Sequence, residues 1–241
     1  MNFAERYKGK ELLDAPDIPT KDLERNLVEL DLINRHLGGH AITLDGLRGL
    51  IRSVKPGEIS SANPLHVCEI GCGGGDNLRV IDQWAKREGI PIRITGVDLK
   101  ETCTHFAKQK HWHHPTQWIT TDYRDAVFDG TPDIIFSSLF CHHFSSDELP
   151  DMLRWMHTHS RVGFFINDLH RHPLAYYSIR YVTALWSRSY LVKNDAPISV
   201  RRGFIRRDWD EVLGASGLPG ARVRWKWAFR WLVLVDHLSN T

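Results

Sequence analysis

The stretch His66-Val67-Cys68-Glu69-Ile70-Gly71-Cys72-Gly73-Gly74-Gly75-Asp76 decides the fold. A short apolar run meets an acid and then glycines at alternate positions. This is how a strand ends in a turn where the backbone leaves room for a ligand. Glycine has no Cβ and takes positive φ without strain, so a ligand can lie against the main chain at Gly71, Gly73 and Gly75. Downstream, Ile92-Arg93-Ile94-Thr95-Gly96-Val97-Asp98-Leu99 alternates as a second strand, and Asp98 follows Gly75 by 23 residues. In a βαβ unit that spacing puts Asp98 at the end of the second strand, beside the first turn. A third acid, Asp122, follows the apolar run Gln117-Trp118-Ile119.

The glycine spacing separates two cofactor classes. A nicotinamide fingerprint G-x-G-x-x-G starting at Gly71 needs glycine where Asp76 stands, and a carboxylate sits badly beside a pyrophosphate at a helix N-terminus. The pattern Glu69-x-Gly71-x-Gly73-x-Gly75 instead resembles motif I of the class I S-adenosylmethionine-dependent methyltransferases. The resemblance implies that Glu69 and the glycine turn hold the methionine part of the cofactor, whose centres are cationic. It further implies that Asp98 accepts the ribose hydroxyls, that Leu99 flanks the adenine and that Asp122 takes the adenine amine. Tyr123 and Ser138 complete the expected cofactor shell, and S-adenosylhomocysteine is the expected product. Without the resemblance, the glycines mark only a tight turn, and Asp98 and Asp122 read as helix caps.

Strand and helix patterns alternate along the middle of the chain, with strands near 65–70, 92–98, 116–121, 133–138 and 162–168 and helices near 76–88, 101–110 and 146–158. Such alternation predicts an α/β fold, a Rossmann-like, mostly parallel sheet with helices on both faces. A helix near 208–217 and two strands near 221–228 and 230–237 bring the sheet to seven strands, one antiparallel at the C-terminal end, as the family resemblance implies. One domain is expected over 1–241, with a helical lead-in or lid at 1–55, the cofactor core at 64–170, a helical insert at 171–205 and the closing elements at 206–237. In the family the lead-in and insert form the substrate lid. Tyr176, Tyr177, Tyr181 and Trp186 of the insert are therefore the expected acceptor contacts.

In open α/β sheets ligands bind at the carboxyl ends of the strands. Strand four ends in Cys141-His142-His143 and strand five in Asn167-Asp168-Leu169-His170-Arg171-His172. A phenol or enol must lose a proton when methylated, and a histidine suits that task. His143 and His170 are the expected bases, with His142 and His172 behind them. None of the histidine clusters has zinc-finger or H-E-x-x-H spacing, and no functional metal is expected. The chain has no Pro-Pro pair of the adenine-N6 enzymes, nor the Pro-Cys pair of the cytosine-C5 enzymes at this position. It looks more like the small-molecule branch that includes quinone-biosynthesis and polyketide-tailoring enzymes. That likeness implies an aromatic or polyketide-like acceptor, with oxygen favoured over carbon.

Composition is that of an ordinary globular chain, 42% hydrophobic and 25% charged. No apolar run approaches the ~20 residues of a membrane span. Cys68, Cys72, Cys103 and Cys141 lack paired spacing and read as reduced thiols of a cytoplasmic protein. Residues 171–241 carry 12 Lys/Arg against 5 Asp/Glu. That excess reads first as a solvated face, with an RNA-binding surface as the rival and nucleic acid not the expected partner. A non-catalytic S-adenosylmethionine-binding partner or sensor is the other reading left open, and the oligomeric state is not written in the chain.

Overall fold

The computed structural model describes residues 2–55 and 57–237. Seven strands form one sheet in the order β3-β2-β1-β4-β5-β7-β6. They are β1 (Leu65–Ile70), β2 (Ile92–Asp98), β3 (Thr116–Thr120), β4 (Ile134–Ser138), β5 (Gly163–Leu169), β6 (Arg222–Lys226) and β7 (Arg230–Asp236). The first five run parallel, β7 pairs antiparallel with β5, and β6 pairs antiparallel with β7. The single reversed strand is therefore β7. The seven-stranded α/β architecture read from the sequence is the one observed.

Side chains alternate across a strand, so a sheet covered on both faces feeds two apolar cores. In β7, Trp231, Val233 and Val235 enter one core with Phe164 and Ile166 of β5. Leu232 and Leu234 enter the other, with Phe165. Helices α5 (Leu149–His159) and α8 (Arg206–Ser216) close the first face with Met152, Met156 and Trp209. The second face is closed by α2 (Gly39–Ile51) and α3 (Asp76–Glu88), through Leu47, Leu50, Leu78 and Ile81.

Helix α1 (Thr20–His36) ends just before Gly38, whose φ of 76° reverses the chain. Helix α2 therefore starts at Gly39. The insert is two helices, α6 (Pro173–Trp186) and α7 (Tyr190–Arg202). They separate where Glu29 of α1 accepts from the Ser187 hydroxyl and from the backbone N–H of Arg188 and Ser189. Helix α4 (Glu101–Lys108) packs beside α1. A 3-10 turn at Leu12–Asp14 is tied to α7, where Asp195 accepts from the N–H of Leu12 and Leu13 at 2.8 and 2.9 Å. All four cysteines are free and buried.

One close approach is testable. A Cβ on Gly46 of α2 would stand 2.5 Å from the Phe165 ring, whereas one on Gly214 of α8 would meet nothing within 4 Å. Gly46→Ala is expected to destabilise the protein by about 1–3 kcal/mol through overpacking. Gly214→Ala is expected to stabilise it by about 0.5–1 kcal/mol, because only helix propensity changes. Urea denaturation of the two variants measures both.

Candidate active site

The parallel strands deliver their carboxyl ends to one edge of the sheet, where two cavities open side by side. The first has a volume of about 370 Å³ and is floored by the turn after β1. Gly71, Gly73 and Gly75 all have positive φ, between 49° and 69°, so the conformation inferred from the sequence is present. The turn is fixed from the next strand. Asp98 accepts from the Gly73 N–H at 2.8 Å and from the Lys100 N–H at 2.9 Å. Burial raises the Asp98 pKa against those two hydrogen bonds.

Glu69 is buried at the centre of this floor. One oxygen accepts from Asn77, and the other, Oε2, has no hydrogen-bond partner among the described residues. Burial, reinforced by the charges of Asp76 and Asp98, pushes its pKa well above the usual carboxylate range. A cationic ligand would offset that penalty. Ser138 also lines the cavity, its hydroxyl without a hydrogen-bond partner among the described residues. An unpaired acid, a second acid on the turn and a glycine cradle fit a ligand with an ammonium, a sulfonium and a ribose.

The remaining expected cofactor residues, Leu99, Asp122 and Tyr123, line the same cavity. Leu99 is largely exposed, and Tyr123 is buried in edge contact with Phe140, Phe144 and Trp155. Asp122 is also engaged within its own turn. Its oxygens hold the Arg124 guanidinium at 2.6 and 2.8 Å and cap the Arg124 N–H, which is the capping role the bare sequence also allowed. Asp76, noted only for excluding a dinucleotide, accepts from Asn34 and bonds His40, each at 2.9 Å. Burial works to raise its pKa, and the His40 contact outweighs it.

The second cavity, about 500 Å³, lies under α1, α6, α7 and the β6–β7 turn. It shares Leu13, Leu30, Leu139 and His143 with the first. Leu139 takes a φ of 53°, a conformation a branched side chain adopts only when its surroundings force it. Arg230 lies in the wall, donating to Asn34 at 2.8 Å and to Asn167 at 3.4 Å. Burial pushes its pKa down to about 10.

The histidines separate. His143 faces both cavities, with Nδ1 2.9 Å from Asp14 and Nε2 3.9 Å from Glu11. Burial lowers its pKa, but the Asp14 hydrogen bond and the Glu11 charge more than reverse this, so it lies above the usual imidazole value. His142 lines the second cavity with Nδ1 2.8 Å from Asp168 and Nε2 3.5 Å from Glu11. His170 lines neither cavity. It accepts from Trp225 Nε1 at 3.1 Å and packs against His172, Phe229 and Trp231. Its pKa falls to about 4 through burial and the neighbouring His172 and Arg171. The expectation that His170 and His172 face the reaction centre is corrected: β5 ends beside the β6–β7 turn, which covers them.

The acceptor residues also change. Trp186 lines the second cavity, but Tyr176, Tyr177 and Tyr181 do not. Tyr176 is buried against Phe3, and Tyr177 and Tyr181 face solvent. The cavity takes Ala175, Ser178, Ile179, Val182 and Trp186, one helical face whose phase composition does not reveal. Sequence reading missed Glu11 and Asp14 altogether. Their only local signal is the Glu11-Leu12-Leu13-Asp14 spacing of a capped turn. Two groups of described residues bring metal-ligand atoms within 4.8 Å, Glu11/His142/His143 and Asp31/His40/Asp76. In each an arginine lies against a carboxylate, Arg202 4.0 Å from Glu11 and Arg79 3.4 Å from Asp31.

Residues 67–163 match the model of a methyltransferase domain. The plantazolicin methyltransferase in complex with S-adenosylhomocysteine superposes with a TM-score of 0.60 at 15% identity, over 85% of this chain and 78% of that one. The magnesium protoporphyrin IX methyltransferase of Synechocystis PCC 6803 with bound S-adenosylmethionine gives 0.51 at 14% identity, over 91% and 97%. At these identities the likeness is one of fold. No curated protein sequence matches the chain significantly. With the sheet order, the glycine turn and Asp98 in place, residues 67–163 resemble a methyltransferase domain of the class I, S-adenosylmethionine-dependent type.

Proposed function

We propose that the protein transfers a methyl group from S-adenosylmethionine to a small apolar acceptor, aromatic or polyketide-like, with an oxygen as the favoured nucleophile. The observation that carries this reading is the contact of the two cavities at Leu13, Leu30, Leu139 and His143. A donor in the first and an acceptor in the second would meet at that wall. Two of the structural neighbours are methyltransferases of plantazolicin and of magnesium protoporphyrin IX, which favours an acceptor of modest size.

S-adenosylmethionine supplies an electrophilic methyl whose leaving sulfide needs no acid. What remains for the chain is positioning, worth roughly 7–11 kcal/mol when reacting atoms are held in line, and removal of the acceptor proton. Glu69 and the glycine turn hold the methionine end, and Asp98 holds the ribose. Leu99 and Tyr123 bound the adenine, with Asp122 acting through its ion pair with Arg124. Elements α1, α6, α7 and the Leu12–Asp14 turn act as the lid that keeps water from the shared wall. With Nδ1–H of His143 donated to Asp14, Nε2 is the lone pair that takes the acceptor proton. The imidazolium so formed is stabilised by Asp14 and Glu11. His142, held by Asp168 and lining the second cavity, is the second base.

Asp98→Ala is expected to weaken S-adenosylmethionine binding by roughly 10- to 150-fold, the factor that corresponds to losing charge-assisted hydrogen bonds. Calorimetry measures it, and wild-type affinity in the variant would remove the cofactor assignment. His143→Asn is expected to lower turnover by about 10²–10⁴-fold with cofactor affinity unchanged, while His170→Asn leaves turnover near wild type. The base acts only when neutral. Because His143 titrates above the ordinary imidazole range, turnover should climb with pH and reach half its maximum above about 6.5. The same profile recorded for His143→Asn should be flat over that limb; an unchanged limb would show that another group titrates.

A further inference from the structure

Helix α6 is apolar on the side that faces away from the protein. Leu174, Tyr177, Tyr181 and Leu185 recur at intervals of three and four, so they form one stripe along the helix. Leu185 is 90% exposed and Tyr181 65%. The neighbouring face of the same helix, with Ile179, Val182 and Trp186, lines the second cavity. Across the cavity stands Trp227 of the β6–β7 turn, lining it and 72% exposed. Trp225 and Tyr190 are exposed as well. A surface helix of a globular domain normally turns such a stripe to the core, and contiguous apolar exposure around a cavity marks an interaction site.

Charge indicates what covers it. No Asp or Glu occurs between Arg171 and Asn194, or between Val212 and Val235. These two runs contain the stripe and the tryptophan-bearing turn. Arg180, Arg188, Lys193 and Arg224 within them are exposed, and none forms an ion pair among the described residues. Other cations are engaged: Arg222 with Asp236 and Lys226 with Asp45 in the second run, and Arg206 with Asp210 and Arg207 with Glu211 in α8. Apolar and aromatic side chains interleaved with unpaired cations, in runs of chain free of acids, match the interface of an anionic bilayer. Among the described residues no helix is long and apolar enough to cross a membrane.

We infer that the outer face of α6 and the β6–β7 turn dock on anionic lipid bilayers, placing the mouth of the second cavity at the membrane surface. An acceptor with an apolar body then enters from the lipid without crossing water. This last consequence rests on the acceptor cavity proposed above; the docking itself does not.

The test is co-sedimentation of the full chain with phosphatidylcholine vesicles and with vesicles of phosphatidylcholine and phosphatidylglycerol. Binding is expected to the mixed vesicles, to weaken with salt and to be much lower on phosphatidylcholine alone. Leu185→Glu and Tyr181→Glu, both at exposed positions, should each reduce the bound fraction about fivefold or more, and Arg180→Glu with Arg188→Glu similarly. Calorimetric S-adenosylmethionine affinity of the same variants should stay at the wild-type value. Absence of binding to either vesicle overturns the inference and leaves the methyl-transfer reading standing if cofactor affinity is intact. A dimer in light scattering that Leu185→Glu dissociates would overturn it in favour of a second copy on this face. Salt-dependent RNA binding without vesicle binding would overturn it in favour of a nucleic-acid surface.

Discussion

The carboxylate of Asp98 joins three pieces of chain that the rest of the site depends on. It terminates β2, takes the Gly73 N–H of the turn after β1, and takes the Lys100 N–H at the start of α4. A parallel sheet leaves its strand ends as free N–H and C=O groups at one edge, and here an acid and a glycine turn satisfy them together. The glycines at 71, 73 and 75 keep the backbone low, so the floor of the cavity is main chain and not side chains. Glu69 sits directly beneath, buried and half-partnered, a carboxyl whose ionisation becomes favourable once a cation lies above it.

Opposite that floor, the His143 end of the wall between the cavities is held by residues far apart in the chain. Glu11 and Asp14 come from the N-terminal segment, His142 and His143 from the tip of β4, and Asp168 from β5. Arg202 holds this arrangement by donating to the carbonyls of His142 and His143 and to Asp14. Arg6 adds contacts to the carbonyls of His142, Phe144 and Arg202. The Asp14 pKa is far below the usual range because the His143 contact overcomes burial, while the His143 pKa moves the opposite way. Opposite shifts on the two partners are what an ion pair produces, since each charged form favours the other.

The sheet and its flanking helices were legible because their signals are local. Period-two and period-3.6 patterns name strands and helices within about a dozen residues, and alternation of the two constrains topology to a handful of forms. The glycine turn and Asp98 were legible for the same reason, being spaced along one βαβ unit. The second cavity was not. His170 and His143 are equivalent in sequence, each at a strand tip, and only the β6–β7 turn covering β5 separates them. Tyr177 and Tyr181 sit in the right helix but on its outer stripe, and the rotation of a helix that is apolar nearly all round cannot be read from its composition.

The sequence by itself determined the sheet, the direction of its strands and the cofactor half of the edge where they end. Hydrophobic periodicity and glycine geometry are properties of neighbouring residues, and they suffice for that. Tertiary structure alone decided which imidazole stands between the cavities, which carboxylates orient it and which face of α6 turns outward. Those outcomes depend on contacts between residues more than a hundred positions apart, such as Asp14 with His143 and Glu29 with Ser187. Burial and pairing energies at such contacts are set by the packed chain, and no local pattern encodes them.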